Sequence, residues 1–268
     1  MSSPLHLGGQ AAAELAGPLG WVARLGLGWL TLRACLGHYL AVLLGRERLD
    51  LPALAAALRQ GGLSVLPAIT LVAAALGMIL GSQTASILER FNLPGLVLLS
   101  LTYAAVMELL PVLVGILVAG RAGVALAVRQ ATLTVSGEMD GLLAAGIHPL
   151  RYTVAPALLA MLAMSFAFAV WMTLITFGAA LLWLWSTAGI APAQFLEALR
   201  QALSPSDLAE ALLKPVVFAL LAALIAGVNG SLAGRDPDGV ARAATRTMIG
   251  AVAAILLADL AFILLWDG

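Results

Sequence analysis

Five stretches of this 268-residue chain are long, apolar and nearly free of charge, and no other feature limits its fold as strongly. Gln60 to Leu88, Tyr152 to Leu196 and Pro215 to Gly234 hold no charged residue. Phe91 to Gly120 holds only Glu108, and Thr247 to Trp266 only Asp259. A charge at the centre of a bilayer costs about 2.5–3.5 kcal/mol even on the lenient insertion scale, so such runs mark membrane helices. Composition excludes the water-soluble alternative. Charged residues make up 10% of the chain and hydrophobic ones 62%, whereas a soluble domain needs about 25% charged residues to wet its surface. The expected fold is all-α and polytopic, with spans near 63–82, 95–119, 154–185, 214–233 and 248–266.

The third run, 45 residues long, has room for one helix or two. Charge asymmetry decides between them. With five spans and the N-terminal region in the cytoplasm, the inner segments hold Arg24, Arg33, Arg46, Arg48, Arg59, Arg121, Arg129, Arg151, Arg235, Arg242 and Arg246. The outer segments hold only Arg90, Arg200 and Lys214. Splitting the run would put Arg235, Arg242 and Arg246 outside, against the positive-inside rule. One span is expected, with Ser186 to Pro192 as the turn after it and Trp183 and Trp185 as interfacial anchors. The C-terminus then lies outside.

Residues 1–60 form a cytoplasmic N-terminal region, and 61–268 the five-span domain. Arg24, Arg33 and His38 interrupt the apolar stretch 20–45, which favours an interfacial amphipathic helix over a span with a buried arginine. No basic residue precedes Arg24, so no cleaved secretory signal is expected. A net charge of zero points to no nucleic-acid partner. One cysteine and three scattered histidines offer no metal site and no internal disulfide.

The connection after the second span, 121–150, is long for packed helices, which are commonly joined by about two to eight residues. Glu138, Met139 and Asp140 are followed by Leu142, Leu143 and Ile147 at helical spacing. A coupling helix docked into a soluble partner and a helix lying on the membrane surface both fit this pattern.

Glu108-Leu109-Leu110-Pro111, Ala119-Gly120-Arg121-Ala122-Gly123 and Pro149-Leu150-Arg151, at these spacings, resemble the MlaE/YrbE-type permeases of MCE-associated ABC transporters. Gly81-Ser82-Gln83, Asn229-Gly230 and Ala244-Thr245-Arg246-Thr247 extend the resemblance across about 45–268. The chain departs from the family pattern at Met107, Leu110, Arg129, Ser136-Gly137-Glu138, Leu142 and His148. The resemblance implies a non-catalytic, homodimeric permease of the bacterial inner membrane, serving outer-membrane lipid asymmetry. Its implied partners are a phospholipid substrate, a cytoplasmic ABC ATPase and a periplasmic MCE-domain protein, with no cofactor. The chain has no G-x-x-x-x-G-K-[ST] loop, and its one lysine is Lys214, so ATP hydrolysis is expected in a partner.

Glu108 is the sharpest candidate for lipid contact, because an ionisable group within a span is expensive and usually faces a cavity or a partner. A buried hydrogen bond between helices is the plain alternative. Lys214, at the outer end of the fourth span, either snorkels to the headgroups or, as the resemblance implies, meets lipid phosphate at a cavity mouth. Leu80, Gln83, Ile87, Leu88 and Phe91 would line the acyl pocket. Asp259 is expected to pair within the bundle or sit near the outer interface. Arg121, with Gly120 and Gly123, is expected to fix the turn into the coupling region, and Glu138, Met139, Asp140 and Leu142 to meet the ATPase. An ion-gradient-driven carrier using Glu108 and Asp259 is the competing function. A lipid-modifying enzyme ranks below it, for want of a catalytic cluster.

Overall fold

A computed structural model describes residues 20–48, 50–91, 105–146, 149–234, 236 and 238–266. Among them there is no strand, and five helices are long and apolar enough to cross a membrane: Leu66–Ile87, Met107–Val135, Pro149–Ala188, Pro205–Ser231 and Gly239–Leu265. They are numbered here as the first to fifth spans. The beginning of the expected second span, up to residue 104, lies outside the described residues. The long third run is one helix of 40 residues, about 60 Å at the α-helical rise, so it projects beyond a hydrocarbon core of about 30 Å.

Small residues set the packing, since apolar side chains gain little by leaving lipid for each other and close backbone contact must supply the attraction. Ala73, Gly77 and Gly81 recur at every fourth position of the first span and face the third. A Cβ on Gly77 would stand 2.2 Å from the carbonyl oxygen of Thr176, and one on Gly81 would stand 2.9 Å from Cβ of Trp183. The Thr176 hydroxyl donates to the Ala73 carbonyl at 3.2 Å, tying the same two helices. The fourth span buries Ala219, Ala222, Ala223 and Ala226 along one face and packs against the second, third and fifth. It lies against the second at Gly115, where a Cβ would be 3.0 Å from Phe218, and at Gly230, where one would be 2.4 Å from Cβ of Gln130.

The second span departs from expectation. Gly120-Arg121-Ala122-Gly123 does not end it. These residues lie in a π-helical turn, Ala119–Gly123, after which α-helix resumes over Val124–Val135. Ala119, Ala122 and Gly123 are buried there, and a helix end at that point would leave their backbone without partners in a dry interior. The reversal comes at Ser136-Gly137, where Gly137 has φ +79°, a conformation that suits glycine. About half of the stretch 121–150 therefore belongs to the bundle, burying Leu126, Ala127, Gln130 and Ala131. Beyond it stand a short helix, Glu138–Ala144, and its flanking turns.

Further helices pack on these spans, among them Leu51–Leu58 on the third. Gly20–Leu43 packs on the third and fourth spans through Thr31 and Cys35, and Tyr39 donates its hydroxyl to the Ala155 carbonyl at 2.6 Å. After this helix, Glu47 pairs with His38 at 2.5 Å and with Arg151 at 3.0 Å. Between the third and fourth spans lies an unanticipated amphipathic helix, Pro192–Ala202, which buries Phe195 against Ala180 and Leu184.

Overpacking a tight contact costs about 1–3 kcal/mol or more. Gly77→Val is expected to abolish the folded protein or to lower its melting temperature in detergent markedly. Gly178→Ala, where a Cβ meets nothing within 4 Å, should melt with the wild type.

Candidate functional site

The fourth span opens with a capping box: Ser204 accepts from the Asp207 amide at 3.2 Å and Asp207 accepts from the Ser204 amide at 2.9 Å, with Pro205 following the cap. That start sets the helix nine residues before Lys214, so the lysine lies inside the span and not at its end. Glu210, one turn earlier, shares its face. In the second span Glu108 lies in a π-helical turn, Ala105–Leu109. Pro111 follows, and having no N–H it cannot bond the carbonyl four residues back, that of Met107.

The Lys214 ammonium takes up that carbonyl, donating to Met107 O at 3.0 Å and to Glu108 Oε1 at 3.2 Å. It stands 3.4 Å from Glu210 and 3.9 Å from Asp259 of the fifth span, with the Phe262 ring 5.7 Å away. Lys214 is 1% exposed, so snorkelling does not describe it. An ammonium has three protons to give, and here a carbonyl and three carboxylates surround it. Three acids against one base leave two negative charges uncompensated when all are ionised. Glu108 Oε2 and Asp259 Oδ1 have no hydrogen-bond partner among the described residues.

This arrangement locks three spans at one point. It is no open receptor for an anion, since a phosphate reaching Lys214 would have to displace a carboxylate already there. Glu108 is the member that opens outward, with its side chain 38% exposed against 11% for Glu210 and 13% for Asp259.

The remaining candidates are dispersed. Leu80 and Ile87 are half-buried and Gln83 exposed on the first span, which packs against the third, whereas the lysine cluster joins the second, fourth and fifth. The side chains of Leu88 and Phe91 lie outside the described residues. Arg121, Glu138 and Asp140 are exposed, and Met139 and Leu142 half-buried. Glu138 and Asp140 occupy the first turn of their short helix, where acids complement the helix dipole. Sequence reasoning missed Glu210 and the Met107 carbonyl. Both had a signal: an acid four residues before the only lysine, and a proline after an acidic turn.

The model of a family described as permease MlaE matches residues 54–265. A probable ABC transporter permease of Rickettsia prowazekii is 27% identical over 199 residues, 74% of this chain and 76% of the relative. The intermembrane phospholipid transport system permease protein MlaE of Haemophilus influenzae is 30% identical over 191 residues, 69% of this chain and 71% of its own. Protein TRIGALACTOSYLDIACYLGLYCEROL 1, chloroplastic, of Arabidopsis thaliana is 32% identical over 155 residues, 57% of this chain and 43% of the plant protein.

Removing one partner of a buried ion pair destabilises by about 3–5 kcal/mol because the other charge is stranded. Lys214→Met is expected to fall in that range in detergent unfolding measurements. Glu210→Gln, which leaves two acids facing the lysine, should cost far less.

Proposed function

The chain belongs to the MlaE permease family, the membrane subunits of ABC transporters, and on that premise we propose that it moves phospholipid between the inner membrane and a periplasmic MCE-protein conduit. The name of the Haemophilus influenzae relative, which states intermembrane phospholipid transport, supports the lipid class. The supporting observation in the chain itself is the lysine-centred lock. It leaves Glu108 as a partly exposed acid on a span otherwise apolar up to Arg121, where a headgroup can meet a polar group and acyl chains meet none. Lys214 then acts through Glu108, holding it in place from behind.

The energy comes from a separate cytoplasmic ATPase. The only lysine is followed by Pro215, so the chain has no phosphate-cradling P-loop. The segment that reaches the ATPase is Ser136 to Gly146, with Glu138, Met139, Asp140 and Leu142 on its short helix. Arg121 stands on the second span as it approaches that end. The end with Arg151 and Arg242 faces the cytoplasm by the positive-inside rule, and the helix Pro192–Ala202 faces the periplasm. Gly20–Leu43 lies along the cytoplasmic interface with Arg24 and Arg33 at headgroup level. Two copies form the working permease. Acyl chains run along Leu80, Gln83, Ile87, Leu88 and Phe91. ABC membership displaces the ion-gradient-driven alternative.

Purification in mild detergent should bring down an ATPase, and replacing 136–146 by a Gly/Ser linker should release it. Glu108→Ala should slow lipid transfer in proteoliposomes by about tenfold or more, the scale of losing one well-placed polar contact, with the assembly intact. Lipid movement by the chain alone, driven by a proton gradient without ATP, would contradict the proposal.

A further inference from the structure

At the end of the bundle away from Lys214, the chain leaves the second span at Ser136 and re-enters the third at Pro149. Gln130 lies six residues before the exit and is 0% exposed. Its amide nitrogen donates to the Thr153 hydroxyl, which donates to the Pro149 carbonyl at 2.8 Å. One turn on, the Thr134 hydroxyl donates to the Gln130 carbonyl at 2.9 Å and approaches the Gly230 carbonyl at 3.3 Å. Gly230 of the fourth span would carry its Cβ 2.4 Å from that of Gln130. Second, third and fourth spans therefore meet at one glutamine, at the base of the 136–148 connection.

Helix packing does not call for an amide here. The second and fourth spans already touch at Ala127 and Gly230, and a buried polar group costs stability unless fully bonded. The Gln130 amide is bonded on one side only, its oxygen having no partner among the described residues. What the amide adds is a link between the two stalks of the connection, spanning 23 residues of sequence. With the link in place, force on the short helix Glu138–Ala144 shifts both stalks together. Without it, that force is absorbed by one stalk sliding on the other.

We propose that Gln130, through Thr153, is a positioning residue that transmits ATPase motion into the spans; this rests on the ABC-permease reading above. The test uses the complete complex with its ATPase in proteoliposomes, measuring lipid transferred per ATP hydrolysed together with melting temperature. Gln130→Leu should lower that ratio about tenfold, within the range that residues linking two sites impose on coupling, while ATP hydrolysis continues. Thr153→Ser, which keeps the hydroxyl, should retain the wild-type ratio. The double variant Gln130→Leu/Thr153→Val replaces both polar partners with apolar groups, which restores stability where a single replacement strands its partner. Its melting temperature should recover and its ratio stay low. Recovery of the ratio with the melting temperature would overturn the proposal, reducing Gln130 to packing. A wild-type complex without ATP-driven transfer would bring down the parent reading as well, whereas a coupled wild type with an unaffected Gln130→Leu would bring down this inference alone.

Discussion

An ammonium group withdrawn from water into a bilayer must find its neutralising charge within the protein, and much of this molecule is arranged around that need. Lys214 meets it with three acids and a backbone carbonyl. The carbonyl is available because Pro111 leaves it without its helical donor. The acids come from three places: the span that carries the lysine, the π-helical turn of the second span, and the fifth span. One side chain thereby sets the relation of three helices at one level of the membrane. Of the three acids only Glu108 has a side chain that is much exposed, while its Oε2 is buried without a partner among the described residues.

Away from the lock, contact is by glycine and alanine. Backbone surfaces meet at Gly77, Gly81 and Gly230, and Phe218 closes on Gly115, with little room for a further side chain, a geometry suited to helices that hold position and shift as rigid rods. At the opposite end the polar groups return as the seam of Gln130, Thr134, Thr153 and Asn229, the last donating to Thr247 at 3.2 Å. Polar fastenings thus stand toward both ends of the bundle, and between them glycine and alanine contact is joined by the Thr176 hydroxyl donating to the Ala73 carbonyl.

Five crossings were legible in the sequence because exclusion of charge from hydrocarbon is the strongest local rule available to a single chain. The same rule misled where charges compensate one another. Glu210 and Lys214 made the fourth span seem to begin at the lysine, whereas the capping box at Ser204 starts the helix a full nine residues earlier. Gly120 and Gly123 looked like a turn because glycine often breaks helices, yet the interior of a membrane bundle has no water to receive the freed backbone groups, so the helix absorbs them in a π turn. Phe195 and its amphipathic helix were hidden beside a long apolar run. The partners of Glu108 were hidden for another reason: they come from positions more than a hundred residues away, and no local pattern joins them.

One crossing, by the third span, separates the short helix Glu138–Ala144 from the helix Pro192–Ala202, with the seam of Gln130 toward the first and the lock of Lys214 toward the second. Cys35 is buried and is the only cysteine, so replacing it with alanine gives a clean background for reporter cysteines at the exposed positions Ala144 and Gln201. A membrane-impermeant maleimide should label Ala144→Cys only in inside-out vesicles and Gln201→Cys only in right-side-out ones. Labelling of both positions from the same side would contradict the account.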